Sequence, residues 1–208
     1  MDAEKAIITV GREYGSGGHD IAKLVAATLG IPFYDKEIIT LAAKESGICE
    51  ELFKTHDEKN VPSYLFGLVT NTGEMPQLAG TSELPLNHRI FMAQFEAIQR
   101  LATQSPCVIV GRCSNYVLKG QPGVVNVFLY GEPEARIQRI MQVENLPYDQ
   151  AKERVRKVDK QRQGYYNFFA DGNWGHRSNY HLMVNTTGLA PQAAADTIIT
   201  YVRGYAQR

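Results

Sequence analysis

The chain has 208 residues, 44% hydrophobic and 21% charged, with 22 Lys+Arg against 22 Asp+Glu. That size and apolar content suit one domain with an ordinary core, and zero formal net charge excludes a global field directed at nucleic acid or an anionic membrane, so any anion site must be local. No apolar run reaches transmembrane length and Met1-Asp2-Ala3-Glu4-Lys5 lacks a secretory leader's pattern, so a cytoplasmic location is expected, while Cys49, Cys107 and Cys113, odd in number and without CxxC spacing, are expected to be reduced thiols rather than disulfide or zinc ligands.

In chain order, Ala6-Ile7-Ile8-Thr9-Val10 reads as a buried strand, and Ile21, Leu24, Val25 and Leu29 recur at helical spacing up to Gly30, a C-terminal cap with Pro32 beyond it. Between them lies Gly11-Arg12-Glu13-Tyr14-Gly15-Ser16-Gly17-Gly18-His19. Four glycines in eight residues let backbone N–H groups converge on an anion at a helix N-terminus, and the natural guest is a phosphate. The standard phosphate-binding loop has four residues between its outer glycines, then Lys and Ser/Thr; here five residues separate Gly11 from Gly17, and Gly18-His19 stand where the lysine and hydroxyl belong. A tight glycine turn without a ligand is the competing reading. A dinucleotide fingerprint fits worse, because Asp20 occupies the third glycine's place.

Ile31 to Asp35 is a short second strand that places Asp35 at its C-terminal end, and Lys36 to Ser46 reads as a helix. From Gly47 to Asn87 the pattern is irregular, with mixed charges and then turn residues around Asn71-Thr72-Gly73, Pro76 and Gly80; it reads as an insertion with a mobile part. Asn87 is expected to cap a core helix over His88–Thr103. Pro106 to Arg112 is a third strand, apolar throughout and so covered on both faces. Arg112 then falls at a strand end like Asp35; a lone arginine there is usually a surface group, but beside a phosphate loop its planar fork suits bidentate contact. Cys113 reads as space-filling.

Val124–Tyr130 is a fourth strand, Pro133–Glu144 a helix, and a further helix runs from Tyr148 towards Gly164. His181–Asn185 is a fifth strand and Pro191–Tyr205 a closing helix. Strands alternating with helices predict a parallel three-layer sheet with its ligand site at the strands' C-terminal ends. Lys152–Arg162 carries six basic and two acidic residues; its apolar stripe leaves Arg156 and Lys160 as neighbours on another side, and Asp159 and Arg162 are spaced to hold each other. Such a helix suits phosphoryl transfer, where positioned cations meet charge on the moving group. Tyr165, Tyr166, Phe168, Phe169, Trp174 and Tyr180 then crowd sixteen residues, with Gly164 as a hinge, and are expected to belong to a lid; a core plug or a dimer contact is the alternative.

Taken together, Ile7 to Gly18, Pro32-Phe33-Tyr34-Asp35-Lys36-Glu37, Val110-Gly111-Arg112-Cys113, Asp159-Lys160-Gln161-Arg162 with Tyr165-Tyr166-Asn167, and Asn185-Thr186-Thr187-Gly188-Leu189 resemble the cytidylate kinase-like family. The resemblance covers nearly the whole chain and weakens between Gly47 and Asn87. It implies an α/β three-layer P-loop NTPase fold in one domain, with a five-stranded parallel sheet, a monophosphate-binding insertion (47–87) and a helical lid (147–180). It implies Mg2+ and ATP, the donor phosphates being held by Gly15, Ser16, Gly17, Gly18 and His19. Asp35, Arg112, Asp159 and Arg162 are then expected at the acceptor, a nucleoside monophosphate, with Arg12, Arg112, Arg156 and Arg162 as the catalytic cations. No nucleic acid or membrane partner is implied, and a homo-oligomer is compatible. The chain departs from true cytidylate kinases in lacking the loop lysine and in carrying Cys113 where they have aspartate. Arg12, permanently charged, is the expected replacement for the lysine, ahead of His19.

Overall fold

The computed structural model describes residues 6–56, 85–170 and 172–205. Five parallel strands, β1 (Ile7–Arg12), β2 (Phe33–Tyr34), β3 (Cys107–Val110), β4 (Val124–Tyr130) and β5 (Leu182–Asn185), form one sheet in the order β2-β3-β1-β4-β5. The glycine-loop strand is therefore central, pairing Val10 with Val110 on one side and with Val127 on the other.

Alternation along β1 sends its residues to two buried faces. Ile8 and Val10 join Val108, Val110, Val125 and Val127 under the helices α1 (Gly18–Leu29) and α8 (Pro191–Tyr205). Ile7, Cys107, Ile109 and Val124 face the opposite layer, where α2 (Glu37–Ser46) and α4 (Leu86–Gln104) contribute Ile38, Ala42, Ala97 and Ile98. Thr9 is a polar residue in the middle of β1, and its buried hydroxyl donates to Asn126 Oδ1 at 2.7 Å. Cys107 lies in this core, its thiol pushed up to about 12 by burial; all three cysteines are free. Among the described residues no helix is long and apolar enough to cross a membrane.

Part of the expected insertion is ordinary structure: α3 (Glu50–His56) packs Phe53 into the same core. The turn residues expected between Asn71 and Gly80 lie outside the described residues. Asn87 is not a cap. Helix α4 starts two residues earlier than expected, at Leu86, with Pro85 preceding it, because Pro85 supplies the carbonyl that His88 and Arg89 N–H groups meet at 2.9 and 3.2 Å. The short α5 (Ser114–Val117) follows β3, and α6 (Pro133–Glu144) and α7 (Tyr148–Phe169) form a hairpin beside the glycine loop.

Helix α7 does not stop at Gly164. It continues to Phe169, since Tyr165 and Tyr166 are each 5% exposed and Phe169 stacks on Phe91 at 4.1 Å, packing that outweighs glycine's poor helix propensity.

Candidate active site

The loop after β1 owes its shape to close approaches that leave no room for side chains. Gly15 has φ +80°, and a Cβ on it would stand 2.6 Å from the Arg136 carbonyl oxygen. At Gly18 a Cβ would stand 2.6 Å from the Cβ of Arg12, so the position that holds a lysine in the standard loop has no space for one. Gly17 precedes the first turn of α1, and Ser16 Oγ donates to the Glu13 carbonyl at 2.8 Å, tying the turn to itself.

In front of the loop lies a cleft of about 410 Å³, lined by Gly15, Gly17, His19, Asp35 and Arg139 among others. Beside it is a narrow, partly open recess with about 20 Å³ of free space, bounded by Gly111, Cys113, Ser114, Asn115 and the rings of Tyr165, Tyr166, Trp174 and Tyr180. That free space suits about one water. Arg12, Arg112 and Arg162 line both spaces and form the wall between them.

Asp35 organises that wall. Arg112, 3% exposed and held at φ +49° by the turn after β3, donates from Nη1 to Asp35 Oδ1 and, at 3.0 Å, to the Val110 carbonyl. His19 Nδ1 meets Asp35 Oδ2 at 2.8 Å, and the His19 ring sits edge-on to Phe33. Burial pushes the Asp35 carboxyl up, but Arg112 and Arg12, with the hydrogen bonds from Arg112 and His19, outweigh it and hold the group below the ordinary value. The site therefore carries a fixed carboxylate among arginines.

The outer side of the loop is clamped by the α6–α7 hairpin. Arg136, 8% exposed, donates to the carbonyls of Gly131 and Tyr14 at 3.0 Å and to Asp159 Oδ2. Asp159 Oδ1 accepts from the Tyr14 N–H at 2.7 Å, so both of its oxygens have protein partners. Glu13 Oε2 accepts from the Gly131 N–H at 3.1 Å; burial raises the Glu13 carboxyl more than Arg136 lowers it. Arg162 donates to the Arg12 carbonyl at 3.2 Å.

Of the residues expected from sequence, Arg12, Gly15, Gly17, Gly18, His19, Asp35, Arg112 and Arg162 come together at the cleft. Ser16 lies beneath the loop and Asp159 behind it. Arg156 is not brought to the site: its side chain is 77% exposed and pairs with Glu153 at 3.1 Å, because position 156 falls on the solvent face of α7. Two residues of α6 had no sequence signal beyond being basic. Arg136 is the clamp just described, and Arg139 puts its guanidinium against Gly17, where a Cβ would come within 2.9 Å of Cζ, while pairing with Asp20 at 2.9 Å.

A parallel sheet in this order, with a glycine-rich turn leading from its central strand into a helix and arginines gathered at the strands' C-terminal ends, defines the P-loop kinase class of fold. Within that class the chain belongs to the cytidylate kinase-like family, whose model matches residues 7–188. Among solved structures, an uncharacterized protein from Eubacterium ventriosum is 27% identical with a TM-score of 0.69, covering 95% of this chain and 98% of that one. Shikimate kinase from Acinetobacter baumannii in complex with shikimate is 16% identical, with a TM-score of 0.53 over 99% of this chain and 97% of that one. Shikimate kinase from Bacteroides thetaiotaomicron is 13% identical, with a TM-score of 0.54 over 98% and 99%. At those identities the shikimate kinases share the fold alone. No curated protein matches the sequence.

Proposed function

We propose that this protein is an ATP-dependent phosphotransferase whose acceptor is a nucleoside monophosphate, CMP or a relative. The observation that carries the reading is the gathering of Arg12, Arg112 and Arg162 around Asp35 at the glycine-loop cleft of about 410 Å³, where positioned cations are needed if a phosphoryl group is transferred within it. The loop N–H groups at the start of α1 would hold the donor phosphates, and Arg139 in front of Gly17 places a cation near the standard lysine's reach. Mg2+ would neutralise charge on the donor. Among the described residues there is no group of three His, Cys, Asp or Glu that could hold a metal ion. Arg112 would meet the acceptor's anionic group, Arg162 would meet both that group and the phosphoryl group in transfer on the donor, and the segment 147–180 would close over the acceptor.

A coupled assay across the nucleoside monophosphates tests the reading. Turnover with one of them is expected; none with any acceptor, in protein saturated with ATP, would remove it. The missing lysine favours a second reading, a nucleotide-binding protein of little catalytic power, which the same assay identifies as ATP binding without turnover. Consumption of ATP only with an acceptor that is not a nucleotide would move the acceptor class and keep the reaction.

A further inference from the structure

Tyr14 is the glycine loop's one aromatic residue, and nothing about phosphate binding requires a ring there. Two guanidinium groups of α7, eight positions apart, lie over it: Arg154 Cζ is 5.7 Å and Arg162 Cζ 5.5 Å from the ring centroid. The Tyr14 hydroxyl is hydrogen-bonded to Glu144 Oε1 at the end of α6, and Glu144 Oε2 accepts from Arg154 Nε at 3.3 Å. The residue's backbone is engaged as well, its N–H on Asp159 and its carbonyl on Arg136. Every part of Tyr14 therefore contacts the hairpin that supplies Arg162. The two residues of α7 that the sequence pairs by spacing have separate tasks here, Asp159 gripping the loop's backbone and Arg162 reaching the wall between cleft and recess.

We infer that Tyr14 is a positioning residue: its ring, with the Asp159 and Arg136 contacts to its backbone, fixes where Arg162 stands, so that the loop that would hold the donor also sets the cation that meets the transferred group. An arginine's long side chain has many rotamers, and a face-on aromatic contact together with the hydrogen bond to the Arg12 carbonyl selects among them. Asp159 belongs to this latch rather than to the acceptor. The role given to Arg162 rests on the phosphotransferase reading; the latch itself does not.

The test is a double-mutant cycle between Tyr14→Leu and Arg162→Ala, read first as affinity for the β,γ-imido analogue of ATP with Mg2+. Arg162→Ala should weaken binding about tenfold or more, as for a lost hydrogen bond to charge. Tyr14→Leu should weaken it about three- to tenfold, the range of a cation–π contact. The double variant should be no worse than Arg162→Ala alone by more than about twofold, because the leucine acts only through the arginine. Tyr14→Phe, which keeps the ring, should stay close to the parent. Losses that multiply, or a Phe variant as weak as the Leu variant, overturn the inference. Hydrogen exchange across residues 158–165 in ligand-free protein provides a readout independent of any kinase activity. Tyr14→Leu should speed it about tenfold and Tyr14→Phe should not, because the ring anchors that stretch of helix. Equal exchange in all three proteins would overturn the latch even if turnover is found, and parent protein that fails to bind the analogue while showing this exchange pattern would remove the kinase reading and keep the latch.

Discussion

At position 18 a restored lysine would not repair the loop. Its Cβ would enter the space of the Arg12 Cβ, which belongs to a side chain only 9% exposed at the end of the central strand and so unable to swing aside. Gly18→Lys is therefore expected to lower stability by about 1–3 kcal/mol, the range for overpacking, and to weaken rather than strengthen binding of an ATP analogue. Thermal melting and calorimetry check both; tighter binding would mean that the loop relaxes around the new side chain. Asp35 makes a second prediction at this scale. Its folded value lies below the unfolded 3.8, so the ionised group contributes stability that is fully present above about pH 4 and is lost as pH falls through the folded value. Asp35→Asn should flatten the loss of stability that sets in below about pH 4, and at neutral pH should cost about 3–5 kcal/mol by leaving buried Arg112 without its counter-charge. Urea midpoints at pH 6 and pH 3 decide this, with parallel pH slopes in parent and variant counting against the assignment.

At the level of elements, the two ends of α7 illustrate what is readable in a chain and what is not. Its start at Tyr148 follows from Pro147, and α6 and α8 begin at Pro133 and Pro191 as expected, because a proline at or just before the first helical position marks a boundary that needs no tertiary information. Its end does not follow: Gly164 looks like a breaker, and only the packing of Tyr165 and Phe169 against Phe91 carries the helix past it. Arg12, Arg112, Asp35 and the glycines were legible for a related reason, since strand ends and glycine turns are local signals. Arg136 and Arg139 were not, because a basic residue on an amphipathic helix reads the same whether it faces water or a loop reached across more than 100 residues. The aromatic segment after α7 supplies a further prediction. Trp174, the protein's single tryptophan, lies edge-on to Phe128 at 5.5 Å and lines the recess, so its emission should change when donor and acceptor bind together, and change less in Arg162→Ala. An unchanged spectrum in ligand-saturated protein would identify the rings as a fixed plug.

For the molecule as a whole, the alternation of apolar runs and helical stripes was enough to anticipate five parallel strands, because strands covered on both faces are apolar throughout and are not confused with surface segments. The order of those strands was not anticipated from periodicity, which says nothing about which neighbours pair. That order puts β1 in the middle, flanked by β3 and β4, and its loop is gripped by Gly131, Arg136 and Asp159. During synthesis, then, the central strand leaves the ribosome before the four other strands of the sheet and waits for its partners. Its first sheet partner comes about 100 residues later, and the carboxylate that holds the Tyr14 amide lies 145 positions downstream. Parallel pairing over such separations closes late in folding. An N-terminal fragment ending at Tyr130 should therefore lack measurable affinity for an ATP analogue although it contains the entire glycine loop, and nascent chains should acquire protection of that loop from proteolysis only after Asp159 has emerged.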